Sequence, residues 1–183
     1  MLLSAFICFA ACSGGDRDSK KDKLSETQKS TEPPEMDIHT AALLGDLDAI
    51  QQHIDAGTDL NIAEPSVGSS PLITAAVFGK TEVARALAEA GADVNFQNNE
   101  GSTALHSAAF LCRTEIVEIL LANGADKNLR NNYGSTALES VAGPFSDVMA
   151  IYDIFSKDLG PLGLKLDYEY LEETRPVIAE MLQ

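Results

Sequence analysis

The stretch that decides the fold is residues 102–128, which reads STALHSAAFLCRTEIVEILLANGADKN. Its landmarks recur along the chain, because an Ala-Ala pair, a glycine and an asparagine each return after 34 and then 33 residues. A fixed period of about 33 residues is typical of a stacked array of similar units. The recurring positions are Ala41-Ala42, Ala75-Ala76 and Ala108-Ala109, then Gly57, Gly91 and Gly124, and then Asn61, Asn95 and Asn128.

Each unit has the chemistry of two short helices followed by a tight turn. Thr103 is an N-cap residue ahead of the first helix, whose alanines let a neighbouring helix approach closely. Thr114 is expected to cap the second helix, and Gly124 is expected to end it in the left-handed conformation. One unit cannot bury its apolar stripe alone, so the units must stack. That stripe consists of Ile116, Val117, Leu120 and Leu121.

The unit resembles the ankyrin repeat. The segment Thr103-Ala104-Leu105-His106 matches the start of the family pattern, and Gly124-Ala125-Asp126 matches its end. The resemblance covers roughly residues 36–138, with a looser fourth copy beyond them. It implies an all-α fold, an ankyrin-repeat solenoid of about four helix-turn-helix repeats with short β-turn fingers and a helical C-terminal cap.

The end of the chain departs from the period. Gly143 and Pro144 are expected to stop the inner helix of the fourth copy, and Asp147 to cap a helix over residues 148–155. A last outer helix is expected over residues 174–182, with Pro176 in its first turn. These expectations describe a fourth repeat with an insertion of roughly thirty residues. The domain boundaries that follow are a signal peptide at 1–11, a lipidated cysteine and disordered tether at 12–36, ankyrin repeats at 37–142 and the modified last repeat and cap at 143–183.

Residues 2–11 form an apolar run, LLSAFICFAA, that ends at Cys12. The run has about half the ~20 residues that a membrane-spanning helix needs, and it has the size of a signal-peptide apolar region. Small residues just before a cysteine resemble a bacterial lipobox, which implies cleavage before Cys12 and a lipid anchor on it. Ser13 fits delivery to the outer membrane. Ordinary signal-peptidase cleavage and a soluble protein with a ragged N-terminus are the alternatives.

The charge of the chain bears on its partners. The net charge is −15 over 183 residues, and residues 1–36 carry five basic and six acidic side chains, so −14 lies on the rest. Nucleic acid and anionic membranes are bound through Lys and Arg, so we expect neither as a direct ligand of the repeats. A basic protein surface is a plausible partner, although acidity that only keeps the array soluble would give the same composition.

The resemblance also implies where a partner is contacted. In this family, contacts come from the finger tips and from the two positions after each Ala-Ala pair, on the concave face. An apolar line there would mark an interaction site, although the same residues would be core if other segments covered them. Carried over by register, the predicted protein-binding residues are Leu43, Leu44, Val77, Phe78, Phe110 and Leu111 on the concave face, with Val67, Glu100, Arg130, Asn132 and Tyr133 on the fingers.

The remaining reactive side chains are interpreted as structural. His39 and His106 occupy the family position whose imidazole hydrogen-bonds to the backbone of adjacent fingers, and His53 is expected to be half-buried on an outer helix. Cys112 is expected to be a free thiol, although the neighbouring Arg113 would lower the pKa of that thiol. The sequence shows no phosphate-binding glycine loop, hydrolase motif or paired metal ligands, so we expect no enzyme activity, no metal and no cofactor.

These observations favour a protein–protein interaction module. We expect a membrane-tethered monomer, a scaffold or an inhibitor in the bacterial cell envelope, anchored through Cys12 on the periplasmic side or at the outer membrane. Two alternatives remain open: an immunity-type lipoprotein that neutralises a toxin enzyme, and a purely structural spacer.

Overall fold

The structure, a computed structural model, describes residues 34–183, so the expected signal peptide and most of the expected tether lie outside the described residues. Within this range the regular structure is helical and contains no β-strand. The α-helices are α1 (Ile38–Leu44), α2 (Leu47–Asp55), α3 (Pro71–Phe78), α4 (Thr81–Glu89), α5 (Ala104–Phe110), α6 (Thr114–Ala122), α7 (Glu139–Ala142), α8 (Met149–Leu159) and α9 (Tyr168–Leu182). Single 3₁₀ turns at Phe145–Asp147 and Gly160–Leu162 flank α8.

The first six helices form two parallel rows. Helices α1, α3 and α5 pack side by side as the inner row, α2, α4 and α6 form the outer row, and each inner helix packs on the outer helix that follows it. The alanine pairs lie at the centre of the inner row and are completely buried. Small side chains allow this close approach, and the apolar stripes of the outer helices, such as Ile116, Val117 and Leu120, close the core from the other side. The expected helix-turn-helix array is therefore confirmed.

The helix caps agree with the sequence at the inner helices and differ at the outer ones. Thr103 caps α5, and His106 completes a reciprocal capping box with it. Thr114, by contrast, is the first residue of α6, and the N-cap is Arg113, which makes no side-chain capping bond. The expected Thr114 cap was wrong because the short link between α5 and α6 already places this residue in helical geometry. Ser70 caps α3 as Thr103 caps α5.

Asparagine side chains connect each unit to the next. The Asn61 Oδ1 atom accepts a hydrogen bond from the backbone N–H of Asp93 at 2.7 Å, and Asn95 Oδ1 accepts one from Asp126 at 2.8 Å. Each asparagine is itself oriented, because the aspartate two residues before it accepts its backbone N–H. Asn128 stands in the same register, but its side chain bonds only to Asp126 of its own unit.

The fingers between units pair through their backbones. Asn99 N–H donates to the carbonyl oxygen of Val67 at 3.1 Å, and Asn132 N–H donates to that of Glu100 at 2.8 Å. In the first finger, burial raises the pKa of Glu64, but hydrogen bonds from residues 66, 67 and 69 outweigh it and lower that pKa to about 2. The Glu64 carboxylate thus stabilises the finger from within.

The histidines are structural, but in three different ways. His106 Nε2 contacts the carbonyl oxygen of Ser135 at 3.1 Å, as expected. His53 is more buried than expected, and its ring bonds to Thr58 and to the Met36 carbonyl oxygen, which holds the N-terminal segment against α2. The His39 ring nitrogens have no hydrogen-bond partner among residues 34–183, contrary to expectation. The finger that follows α2 is one residue longer than the next, so the register that serves His106 is not reproduced at His39.

The C-terminal region differs from the expected fourth repeat. Residues 168–182 form one continuous helix, α9, so Pro176 lies inside a helix and not in a first turn. Helix α9 packs mainly on α7 and α5, rather than extending the outer row beside α6. Its buried face is formed by Leu171, Arg175, Ile178 and Leu182, and Val177 is half exposed. Asp147 belongs to a 3₁₀ turn and does not cap α8, whose N-cap is Val148.

A buried hydrogen-bond cluster joins this C-terminal region to the repeats. The Tyr152 hydroxyl donates to the carbonyl oxygen of Phe110 at 2.6 Å and accepts from Arg175 Nη1 at 3.0 Å. Arg175 Nη2 donates to the carbonyl oxygens of Ser140 and Gly143, at 3.2 and 3.3 Å. Both Tyr152 and Arg175 are buried, so the cluster fixes α8 and α9 on the inner row.

We expect the Asn95→Ala variant to lower the free energy of unfolding by about 1 kcal/mol, because its amide bridges two units. Asn128→Ala is the matched control, since that side chain makes no bond to another unit, and it should change the free energy by less than about 0.5 kcal/mol. Urea unfolding followed by circular dichroism measures both. An equal loss in the two variants would contradict the bridging role.

We expect Tyr152→Phe to destabilise the protein by about 2 kcal/mol, because it removes the hydroxyl donor of the Phe110 carbonyl and one of the three hydrogen bonds of the buried Arg175 guanidinium. Tyr168→Phe is the control: its hydroxyl donates to Asp153 at 2.8 Å in an exposed position, so its loss should cost well under about 1 kcal/mol. Urea unfolding of the two variants provides the comparison, and a Tyr152→Phe loss no larger than the control would refute the buried cluster as a structural joint.

Candidate functional site

The inner row carries an apolar groove on its concave face. We use "the groove" for Leu43 and Leu44 at the end of α1 together with Val77 and Phe78 at the end of α3. Leu44 is 60% exposed, and the other three side chains are half-buried. Because α1 and α3 pack side by side and these residues stand in the same register, the two pairs occupy matching positions on neighbouring helices. The groove thus exposes apolar surface that nothing in residues 34–183 fully covers.

The predicted apolar line does not continue to the third unit. Leu111 is only 1% exposed and belongs to the core, so it cannot contact a partner. Phe110 is half-buried beneath α8, where its ring stacks on Tyr152 with centroids 4.6 Å apart and meets Phe155 edge-on at 5.7 Å. The C-terminal insertion therefore walls the groove at the third unit. The expectation that Phe110 and Leu111 are open to a partner is corrected accordingly.

Cys112 marks the point where the insertion meets the third unit. It has a φ angle of 53°, and the equivalent residues of the first two units, Gly45 and Gly79, have φ angles of 80° and 65°. Cys112 thus adopts the left-handed conformation for which the other units use glycine. Its thiol contacts the carbonyl oxygen of Leu171 at 3.6 Å. Burial raises the pKa of the Cys112 thiol to about 11, which outweighs the opposing effect of nearby Arg175 and Arg113. The thiol is free and buried, and it is not an activated nucleophile.

The five predicted finger residues fall into two groups. Val67, Glu100 and Tyr133 are exposed, with Tyr133 at 74% and its hydroxyl 3.4 Å from a Glu100 oxygen. Asn132 instead donates its side-chain amide to the carbonyl oxygen of Asn99 at 3.0 Å, which ties two fingers together. Arg130 forms two hydrogen bonds with Glu139, at 2.6 and 3.0 Å, and these bonds lower the pKa of Glu139. All five positions are exposed, and Asn132 and Arg130 differ from the others because their side chains are engaged by Asn99 and Glu139.

Charge is distributed unevenly between the two faces of the array. The helices α1, α3 and α5 contain no acidic or basic residue apart from His39 and His106. Burial lowers the pKa of both histidines, which favours their neutral forms near pH 7. The outer helices, by contrast, expose a series of carboxylates: Asp48, Glu82, Glu89, Glu115 and Glu118. The negative charge of the chain is therefore largely absent from the floor of the groove.

Two cations border the groove where the inner helices end. Lys80 lies over Gly45, since a Cβ atom at that glycine would stand 2.9 Å from Lys80 Cδ. Arg113 lies over Gly79 in the same way, with a Cβ–Nε separation of 3.1 Å, and its Nη2 atom donates to the Val77 carbonyl oxygen at 3.4 Å. Each glycine thus makes room for a basic side chain of the next unit.

Sequence reasoning missed these two cations and the aromatic wall. A signal for the cations was present: Lys80 and Arg113 are 33 residues apart, one repeat, and each follows the left-handed residue that ends an inner helix. The wall made by Tyr152 and Phe155 had no such signal, because the insertion lies outside the period. The groove residues Leu43, Leu44, Val77 and Phe78 were placed correctly by register, and whether they bind a partner remains a prediction.

The described residues offer little for other kinds of site. Between residues 34 and 183, no cluster of three or more His, Cys, Asp or Glu side chains is arranged to hold a metal ion. None of the helices in that range is both long enough and apolar enough to cross a bilayer. A cavity of about 630 Å³ lies beside α7 and α9, and Glu139 and Glu172 are among the residues that line it.

Comparison with known proteins agrees with this architecture. Residues 38–139, more than half of the chain, match the family model for ankyrin repeats in three copies. The chain is also similar to the human DNA-binding protein RFXANK, with 40% identity over 58 residues, which is 32% of this chain. The chain covers 22% of the length of that relative. The periodic sequence, the two rows of helices and the family match lead to one conclusion: the chain belongs to the ankyrin repeat family, whose repeats are protein–protein interaction modules.

Proposed function

We propose that the chain is a binding protein that holds a segment of another protein in its groove. The observation that carries the proposal is the row of Leu43, Leu44, Val77 and Phe78, which exposes apolar side chains on the concave face of an otherwise well-packed array. Contiguous apolar surface with a polar surround is typical of interaction sites. Val67, on the finger between the first two units, is an exposed apolar residue as well.

The insertion gives the groove a closed end. Tyr152 and Phe155 cover the third unit through their contacts with Phe110. Tyr152 is itself buried, so a bound segment would meet the half-buried rings of Phe110 and Phe155 there. At the other end, the first unit leaves Leu44 largely exposed. A partner is therefore held mainly by the first two units, and the C-terminal region serves both as a cap of the array and as one wall of the site.

The proposed setting of this binding protein is the bacterial cell envelope. Support comes from the sequence alone: the apolar run at residues 2–11 ends at Cys12, and a polar segment separates it from the first repeat. Several acyl chains on Cys12 would bury enough CH₂ groups, at ~0.8 kcal/mol each, for durable anchoring. The polar residues 13–36 would reach very roughly 25–30 Å and hold the array away from the lipid surface.

The same geometry suits a scaffold or an inhibitor of an envelope enzyme and an immunity-type lipoprotein that neutralises a toxin enzyme. All require a groove that holds one segment of a partner. The purely structural spacer is less well supported, since a spacer has no use for exposed Leu44 and half-exposed Phe78. Nucleic acid is disfavoured as a ligand by the net charge of −15, because phosphate binding needs an excess of basic residues.

We expect Leu44→Glu to abolish capture of the partner, or to weaken it at least about tenfold, because a carboxylate would be buried in an apolar contact. Leu162→Glu is the matched control, since Leu162 is 55% exposed and lies in the C-terminal insertion, away from the groove. Both variants and the wild type are compared in pull-downs from envelope extracts, with quantitative mass spectrometry of the retained proteins.

A protein retained by wild type and by Leu162→Glu but lost with Leu44→Glu would support the groove. Retention by all three chains would move the site to the fingers or the insertion and refute the proposal. If none of the chains retained a protein, the spacer interpretation would be preferred.

We expect Cys12→Ser to release the protein from the membrane fraction, because the thioether that carries the lipid cannot form on serine. Metabolic labelling with palmitate should mark the wild type and not the variant. Cys8→Ser is the control, since Cys8 lies within the apolar run and should leave labelling unchanged. Labelling that survives in Cys12→Ser would contradict the proposed anchor.

A further inference from the structure

Lys80 and Arg113, the cations at the border of the groove, form no ion pair within the described residues. Residues 34–183 contain eight basic side chains. Two of them, Arg85 and Arg130, pair with carboxylates on the outer face and near the fingers. Within the described part of the chain, neither Lys80 nor Arg113 has a carboxylate oxygen within 4.0 Å. The two cations nearest to the groove thus form no ion pair with the described side chains, unlike Arg85 and Arg130.

Arg113 has hydrogen-bonding capacity that the fold does not use. Its side chain is half-buried, and its Nε atom is buried without a partner among the described residues. The hydrogen bond from its Nη2 atom to the Val77 carbonyl oxygen is long, at 3.4 Å. Burial lowers the pKa of this guanidinium, and no carboxylate offsets that cost. A guanidinium with open donors beside an apolar surface is well suited to a carboxylate, which it can bind through two parallel hydrogen bonds.

Lys80 extends the same border to the first unit. Its aliphatic stem lies over Gly45, directly after Leu44, which places the stem beside the end of α1 where the groove lies. The carboxylate on this border is Asp46, and one of its oxygens is engaged by the N–H of Ala49 as the cap of α2. This border therefore carries the two positive charges of Lys80 and Arg113 against the one negative charge of Asp46, along one side of an uncharged apolar floor.

We propose that the occupant of the groove is an extended peptide segment whose apolar side chains contact Leu43, Leu44, Val77 and Phe78, and whose Asp or Glu side chain binds Arg113, with Lys80 adding a second positive charge on the same border. This inference rests on the proposed function and adds the chemistry of the partner segment. The apolar contacts supply affinity, and the charge-assisted hydrogen bonds set the register of the segment along the groove.

An acidic contact is compatible with the strongly acidic surface of the domain. The carboxylates of the outer helices lie on the opposite side of the inner row, so they act on the partner at long range and are screened by salt over about 10 Å. The border cations act at contact distance on one side chain of the bound segment. A partner that combines a basic surface with a short segment of acidic and apolar residues fits both the long-range attraction by the outer carboxylates and the local contact with the border cations.

The probe for this inference is a phage-displayed library of random 12-residue peptides, selected on the full chain immobilised through its N-terminus. We expect enriched peptides to combine apolar residues with an Asp or Glu at a fixed distance from them. For an enriched peptide, Lys80→Gln/Arg113→Gln should weaken binding about tenfold, which corresponds to about 1.4 kcal/mol. Lys157→Gln/Lys165→Gln changes the net charge by the same amount at exposed insertion residues and should leave binding within twofold.

A second test changes the peptide and not the protein. Replacement of the Asp or Glu of the peptide by Asn or Gln should also weaken binding about tenfold. If the Leu44→Glu variant failed to bind selected peptides that carry no acidic residue or that tolerate its replacement, that result would overturn the acidic contact and leave the proposed groove standing. A selection that yields no peptide sensitive to Leu44→Glu would overturn both proposals.

Discussion

Close approach of the inner helices is the constraint on which the rest of the structure depends. The alanine pairs of α1, α3 and α5 are completely buried, so neighbouring helices in the inner row are separated by little more than backbone and methyl groups. That spacing lets Asn61 and Asn95 reach the next unit at 2.7–2.8 Å, and it lets finger backbones pair at 2.8–3.1 Å. It also aligns Leu43-Leu44 with Val77-Phe78. Larger side chains at the alanines would remove the bridges, the paired fingers and the groove together.

The repeats could be predicted from the sequence because their determinants are local and periodic. Thr103 and Ser70 cap helices where the register places them, and the stripe of Ile116, Val117 and Leu120 is buried as its spacing requires. The groove positions on α1 and α3 followed from the same register. The outer caps failed at Thr114, since residue identity alone does not say where a short link becomes helical.

The rest of the fold depends on contacts with the C-terminal insertion, which lies outside the repeat period. Phe110 and Leu111 repeat the pattern of Leu43 and Leu44, yet Tyr152, 42 residues away from Phe110, covers the third unit. The continuous helix through Pro176 likewise depends on packing against α7 and α5. The total charge describes the domain as acidic throughout, whereas the structure separates the carboxylates of the outer helices from Lys80 and Arg113 at the groove. Total charge bears on long-range attraction, and the choice of a bound segment depends on where individual charges lie.

The insertion is joined to the repeats by one buried cation, Arg175, whose hydrogen-bond acceptors are uncharged polar groups. Arg175 donates to a phenol and to two peptide carbonyls, and none of these acceptors changes its charge near neutral pH. Burial raises the pKa of Tyr152 to about 12, so even the phenol keeps its proton in moderately alkaline solution. Salt has little access to these buried groups, whereas it screens exposed pairs such as Arg85–Glu115. The aromatic wall of the groove is therefore built to hold its shape when acidity or salt content changes, while exposed ion pairs weaken as salt rises.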